Sequence, residues 1–175
     1  MKNSVLKNTI LSGAFLALGM VLPLITSQIK EIGDSLLPMH IVVMFCGIFC
    51  GAGNGLIVGF ILPFLRSMIF SMPPFYPNAV WMAFELATYG FVMGILYGKI
   101  GKKNVRYLYL SLVVAMFSGR IVWAIAKTIL LGLGGIKFTF AAFITGGFID
   151  AIPGIILQLI LIPTVMSLLG EKTKE

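Results

Sequence analysis

Charge is nearly absent from long stretches of this chain, and most of what there is gathers between apolar runs of roughly membrane length. Lys30, Glu31 and Asp34 follow the first run. Lys99, Lys102, Lys103 and Arg106 follow the fourth, and Glu171, Lys172, Lys174 and Glu175 close the sequence. A helix needs about 20 apolar residues to cross the hydrocarbon core of a bilayer. Only 11% of the residues are charged and 59% are hydrophobic, whereas a soluble domain carries about 25% charged residues. The chain is therefore expected to be an all-α integral membrane protein.

At about 20 residues per span, 175 residues leave room for roughly six transmembrane helices joined by short loops. The expected spans are 5–25, 38–50, 55–71, 78–97, 107–131 and 138–169. The second is short, and the last is long and broken by Pro153 and Pro163. Gly51-Ala52-Gly53-Asn54 forms a tight turn between the second and third, and Met72-Pro73-Pro74-Phe75-Tyr76-Pro77 a proline-stiffened loop before the fourth. No change of composition divides the chain, so residues 1–175 are expected to form one domain. Lys2 and Lys7 ahead of an apolar run have the look of a signal peptide. The run is too long for an h-region, however, and no Ala-x-Ala site follows, so it is expected to be retained.

Orientation follows from the basic residues. With both termini on one side, that side holds Lys2, Lys7, Lys99, Lys102, Lys103, Arg106, Lys172 and Lys174, against Lys30 and Lys137 on the other. The positive-inside rule then places both termini in the cytoplasm. It also accounts for the net charge of +7 without nucleic acid.

Five charged residues remain inside the spans: Arg66, Glu85, Arg120, Lys127 and Asp150. At about 1.5 Å per residue, Arg66 lies about 7 Å below the outer end of its span and Glu85 about 10 Å. Lys127 and Arg120 lie about 6 and 17 Å down the fifth span, and Asp150 about 15–18 Å down the sixth. All five fall in the outer half of the membrane or near its midplane. A charge in hydrocarbon costs about 2.5–3.5 kcal/mol or more, so such a layer needs mutual partners or a function. Asn78, Trp81, Met82, Glu85 and Tyr89 share one helical face, as do Arg120, Trp123 and Lys127, and Asp150, Gly154 and Gln158. Aromatic rings beside charged and hydrogen-bonding groups suit a small, partly polar ligand, and three bases against two acids favour an anionic one. The architectural alternative is that Glu85 and Asp150 pair with Arg120 and Arg66 merely to tie helices together.

His40, at the outer start of the second span, is a further candidate for ligand contact. Cys46 and Cys50 stand four apart on a helix, but with His40 as the only histidine they do not make a metal site. Gly51-Ala52-Gly53-Asn54-Gly55-Leu56 is not a dinucleotide fingerprint, and there is no Gly-x-x-x-x-Gly-Lys phosphate loop. No cofactor, nucleophile or catalytic cluster is evident, so the chain is not expected to be an enzyme. Small residues recur at four-residue spacing: Gly47, Gly51, Gly55 and Gly59; Gly90, Gly94 and Gly98; and Gly13 with Ala17. Such faces let helix backbones approach closely. Most are expected to pack within the chain, with the first span the best candidate for a partner protein.

The whole chain resembles the substrate-binding S components of energy-coupling factor (ECF) vitamin transporters. The runs that carry the resemblance are Leu37-Pro38-Met39-His40-Ile41, Gly59-Phe60-Ile61-Leu62-Pro63-Phe64-Leu65-Arg66, Met72-Pro73-Pro74 and Phe84-Glu85-Leu86-Ala87-Thr88-Tyr89-Gly90. Six short spans, cytoplasmic termini and a small-residue first helix accompany them. The resemblance implies an S-component-like bundle in the bacterial cytoplasmic membrane that binds a micronutrient on the extracellular side. The pocket would be walled by spans four to six and lidded by the loops after spans one and five. It also implies docking on a transmembrane coupling subunit powered by two cytoplasmic ATPases. The family's Ala-x-x-x-Ala docking motif stands here as Gly13-x-x-x-Ala17. The expected ligand-binding set is Arg66, Asn78, Trp81, Glu85, Tyr89, Arg120, Trp123, Lys127, Asp150 and His40, with Gly13 and Ala17 for docking. Pantothenate is the favoured ligand, then folate or another pterin, with a queuosine precursor or pyridoxine-type compound left open. The alternative is a self-sufficient secondary transporter or channel, which six spans without an evident internal repeat make less natural.

Overall fold

The computed structural model describes residues 2–26, 28, 35–100, 104–136 and 138–171, and these are helical apart from short connections. The helices are α1 (Lys2–Thr26), α2 (Pro38–Cys50), α3 (Ala52–Phe70), α4 (Val80–Lys99), α5 (Val105–Leu133), α6 (Phe140–Ile144) and α7 (Ile152–Glu171). A wide turn, Phe75–Ala79, leads into α4, and another, Thr145–Ile149, extends α6. Lys30, Glu31, Asp34, Lys102, Lys103, Lys137, Lys172 and Lys174, which carried much of the charge count and of the expected lids, lie outside the described residues.

Among the described residues, five helices are long and apolar enough to cross a membrane, and Pro38–Cys50 and Phe140–Ile149 are shorter. The expected six spans are thus only partly met, for two physical reasons. At about 1.5 Å per residue, α2 is about 20 Å long, shorter than the hydrocarbon core. It is nearly enclosed, with Ile41, Val42, Val43, Met44 and Cys46 all buried, so it serves as a core helix. The expected sixth span, 138–169, is two pieces, because the helical path breaks at Asp150 and Ala151. Pro153 lies in the first turn of α7, where its missing N–H costs nothing, and does not interrupt a span.

The centre of the bundle is α4, packed against α2, α3 and α5. Close approach there depends on glycine. A Cβ on Gly90 would strike the backbone of Gly55, and one on Gly59 would strike the backbone of Leu86. Gly47 and Gly94 are equally tight, whereas Gly13, Gly51 and Gly98 have open space around them. Two apolar clusters fill the rest: Met44, Tyr89, Met93, Leu112 and Ile162 between α2, α4, α5 and α7, and Val43, Cys46, Val58, Leu62 and Leu86 between α2, α3 and α4. Phe15, Leu16 and Met20 of α1 cover the second cluster, leaving the opposite face of α1 exposed.

Candidate functional site

The helix ends farthest from Lys2 and Glu171 enclose a cavity of about 570 Å³, within the range of small-molecule sites. The C-terminal turn of α1 contributes Pro23 and Thr26, the start of α2 contributes Pro38, Met39 and His40, and α3 contributes Arg66. Asn78, Trp81, Met82 and Glu85 come from the wide turn and first half of α4, and Arg120, Trp123 and Lys127 from α5. Gly146 and Asp150 come from the α6 segment, and Met72, Pro73 and Pro74 from the loop before α4. Leu37, at the rim, is held in the left-handed backbone region (φ 52°) directly before Pro38.

At the inner end sits a buried polar triad. Arg120 Nη1 donates to Glu85 Oε1 at 2.8 Å. His40 Nε2 lies 3.3 Å from the same oxygen, close enough for charge but not aligned as a hydrogen bond. Glu85 and His40 are each 2% exposed and Arg120 5%. Glu85 spends one oxygen on Arg120, yet Nε and Nη2 of Arg120 are buried with no hydrogen-bond partner in the protein. Those two donors form one planar edge, the fork that grips a carboxylate with two parallel hydrogen bonds.

The other cations are held differently. Arg66 Nη1 donates to the Met20 carbonyl at 2.8 Å, joining α3 to α1, and its guanidinium lies 5.4 Å from the Phe70 ring. Lys127 Nζ lies 4.5 Å from the Trp123 ring, 5.0 Å from Trp81 and 5.3 Å from Phe138. Trp123 also faces the Arg120 guanidinium at 6.0 Å and packs against Phe143 of α6. Asp150 is exposed, makes no ion pair among the described residues, and adjoins a smaller cleft with Ser35, Leu37, Gly146 and Ala151.

Of the two ion pairs in the architectural alternative, the structure contains Glu85–Arg120; Arg66 and Asp150 are not joined. The cavity brings together His40, Arg66, Asn78, Trp81, Glu85, Arg120, Trp123, Lys127 and Asp150. Tyr89 is not on its wall. It lies one turn below Glu85, 2% exposed, its ring edge-on to His40 at 5.1 Å and filling the space that Gly119 leaves. Asp150, assigned a shared face with Gly154 and Gln158, lies in the turn that precedes α7. Gly154 packs against Ser35 and Leu37, and Gln158 is buried with its amide unpaired among the described residues. Sequence reasoning missed Pro23, Thr26, Pro73 and Pro74; the double proline next to Arg66 and Asn78 was the signal available.

Among the described residues no cluster of histidine, cysteine and carboxylate side chains could hold a metal ion. Cys46 and Cys50 are free and buried, with Cys46 Sγ 3.9 Å from Ser12 Oγ. Gly13 and Ala17 both lie on the exposed face of α1.

A family model described as the ECF transporter, substrate-specific component, matches residues 7–166. No curated protein and no solved structure matches the chain significantly.

Proposed function

The chain belongs to the substrate-specific components of ECF transporters, and from that premise we propose that its cavity captures an acidic micronutrient from outside the cell. As a member of that family it is a transporter subunit embedded in a membrane and partnered with an ECF module, not an enzyme. The observation that carries the ligand's class is the pair of buried donors, Nε and Nη2 of Arg120, that no protein group meets, on a residue lining a cavity whose described side chains sum to one net positive charge.

In this reading a carboxylate of the ligand docks on that edge, while Glu85 fixes the guanidinium plane from behind. Trp81 and Trp123 flank the ligand's body, Asn78 and His40 supply hydrogen-bonding groups, and Arg66, Lys127 and Asp150 set the field around it. Pantothenate ranks first and folate or another pterin second. The basic residues orient both termini towards the cytoplasm of a bacterial cell, so the cavity opens outwards. The exposed Gly13–Ala17 face of α1 docks on the coupling subunit, and two cytoplasmic ATPases drive release.

The test compares pantothenate with its uncharged alcohol analogue on the isolated, purified chain. Trp81 and Trp123 are the only tryptophans and both line the cavity, so intrinsic emission reports occupancy directly. A hydrogen bond to a charged group contributes about 1.5–3 kcal/mol, so losing the carboxylate should weaken binding roughly 10- to 100-fold or more. Equal affinity for acid and alcohol, or no binding of pantothenate, folate or a pterin acid, overturns this reading of the ligand.

A further inference from the structure

The cation at the cavity wall, Lys127, sits in an arrangement that elsewhere serves as a receptor. Its ammonium is enclosed by Trp123, Trp81 and Phe138 at 4.5, 5.0 and 5.3 Å, all within the roughly 6 Å over which a ring face attracts a cation. No carboxylate among the described residues lies within ion-pair distance of it. A cage of this kind is what binds a quaternary ammonium ligand. Here the protein fills it from within.

We propose that Lys127 is the charge-selectivity determinant of this cavity, a tethered occupant of an aromatic cage that keeps organic cations out. The inference rests on the ligand-capture reading of the same cavity. Two effects act together. The side chain takes the space between the three rings, and its charge repels a second cation from a cavity that also holds Arg66 and Arg120. Replacing it with a small neutral residue vacates the cage and takes the charge sum of the described lining residues from one net positive to zero. The rings remain, because Trp123 is independently packed against Phe138 and Phe143 and Trp81 is buried.

The experiment titrates tetramethylammonium chloride, at constant ionic strength, into the full chain in detergent while following emission of Trp81 and Trp123. Wild type and Lys127→Arg, which both keep a tethered cation, are expected to show no saturable change. Lys127→Ala is expected to bind at least about tenfold more tightly than wild type, and adding Trp123→Leu to remove that gain, followed on Trp81. If Lys127→Ala is not monodisperse, the shorter neutral Lys127→Gln carries the same test. Saturable binding by wild type as tight as by the neutral variant overturns the proposal, as does a folded neutral variant with no gain. A parallel pantothenate titration of wild type separates the two readings. Failure there strikes the acidic-ligand assignment and leaves the cage result standing.

Discussion

A double-mutant cycle on Glu85 and Arg120 separates a strut from a binding device. The pair is 2% and 5% exposed and closes at 2.8 Å. Unit charges about 4 Å apart attract by about 4 kcal/mol at an effective dielectric of about 20, and removing one partner of a buried pair costs about 3–5 kcal/mol. Arg120→Leu belongs at the low end, since Glu85 keeps His40 3.3 Å away and the adjoining cavity can admit water. Glu85→Leu belongs at the high end, because Arg120 already has two unmet donors and loses its one carboxylate. In a chain of this length 1 kcal/mol moves Tm by roughly 2–4 °C. The expected losses are then about 6–12 °C for Arg120→Leu and about 10–20 °C for Glu85→Leu. The double variant exchanges a buried ion pair for apolar contacts, which is often neutral, and should return to within about 4 °C of wild type. Thermal unfolding of purified protein, read as loss of monomer on size exclusion, measures the stabilities; tryptophan emission with pantothenate measures binding. The double variant should fold and not bind. Additive losses, or a single substitution that shifts Tm by under about 2 °C, would refute the electrostatic account. A stable double variant that still binds pantothenate would reduce the pair to architecture.

Two other sites separate the roles of small residues. Gly13→Leu and Ala17→Leu point from an exposed helix face, with open space around Gly13. Each should leave stability within about 0.5 kcal/mol and ligand binding intact, while blocking uptake in cells that contain the ECF module. Unimpaired uptake with both leucines present removes that face as the docking surface. Gly90→Ala should behave oppositely, because its Cβ would meet the Gly55 backbone, not a yielding side chain. Overpacking costs about 1–3 kcal/mol or more, read as a lower Tm or loss of monodisperse protein, and a variant as stable as wild type would contradict the packing.

Much of this architecture is legible from where charge is missing, because an apolar run of membrane length has few alternatives. The ends of α1, α3, α4 and α5 fall within a few residues of expectation. The α6–α7 break was not legible, since a proline inside a helix and one in its first turn look alike in sequence. The depth count grouped residues that line one cavity because α4 and α5 are continuous, so residues three or four apart share a wall; Asp150 reaches the same cavity from the turn before α7. Tyr89 has the right spacing from Glu85, but helical periodicity carries no information about where a cavity ends. Here it ends at the Arg120–Glu85–His40 triad. Pro23, Thr26, Pro73 and Pro74 line the wall without charge, so the depth count passed over them, and only the double proline Pro73-Pro74 offered a signal.

The three membrane-layer cations show what the sequence could not distinguish. Each must be compensated where water is scarce, and each is met by a different kind of group: a neighbouring helix carbonyl for Arg66, a carboxylate for Arg120, ring faces for Lys127. These differ in what they leave over. A carbonyl bond that ties α3 to α1 commits Arg66 at least partly to structure. Glu85 engages one nitrogen of Arg120 and leaves Nε and Nη2 without a protein partner, so on the proposed reading the bond that stabilises the empty protein also fixes the donors that meet a ligand. The rings neutralise nothing around Lys127. On the proposal above, this cation attracts an arriving anion and opposes an arriving cation. On these proposals, selectivity in this cavity follows from how each cation is satisfied, more than from how many there are.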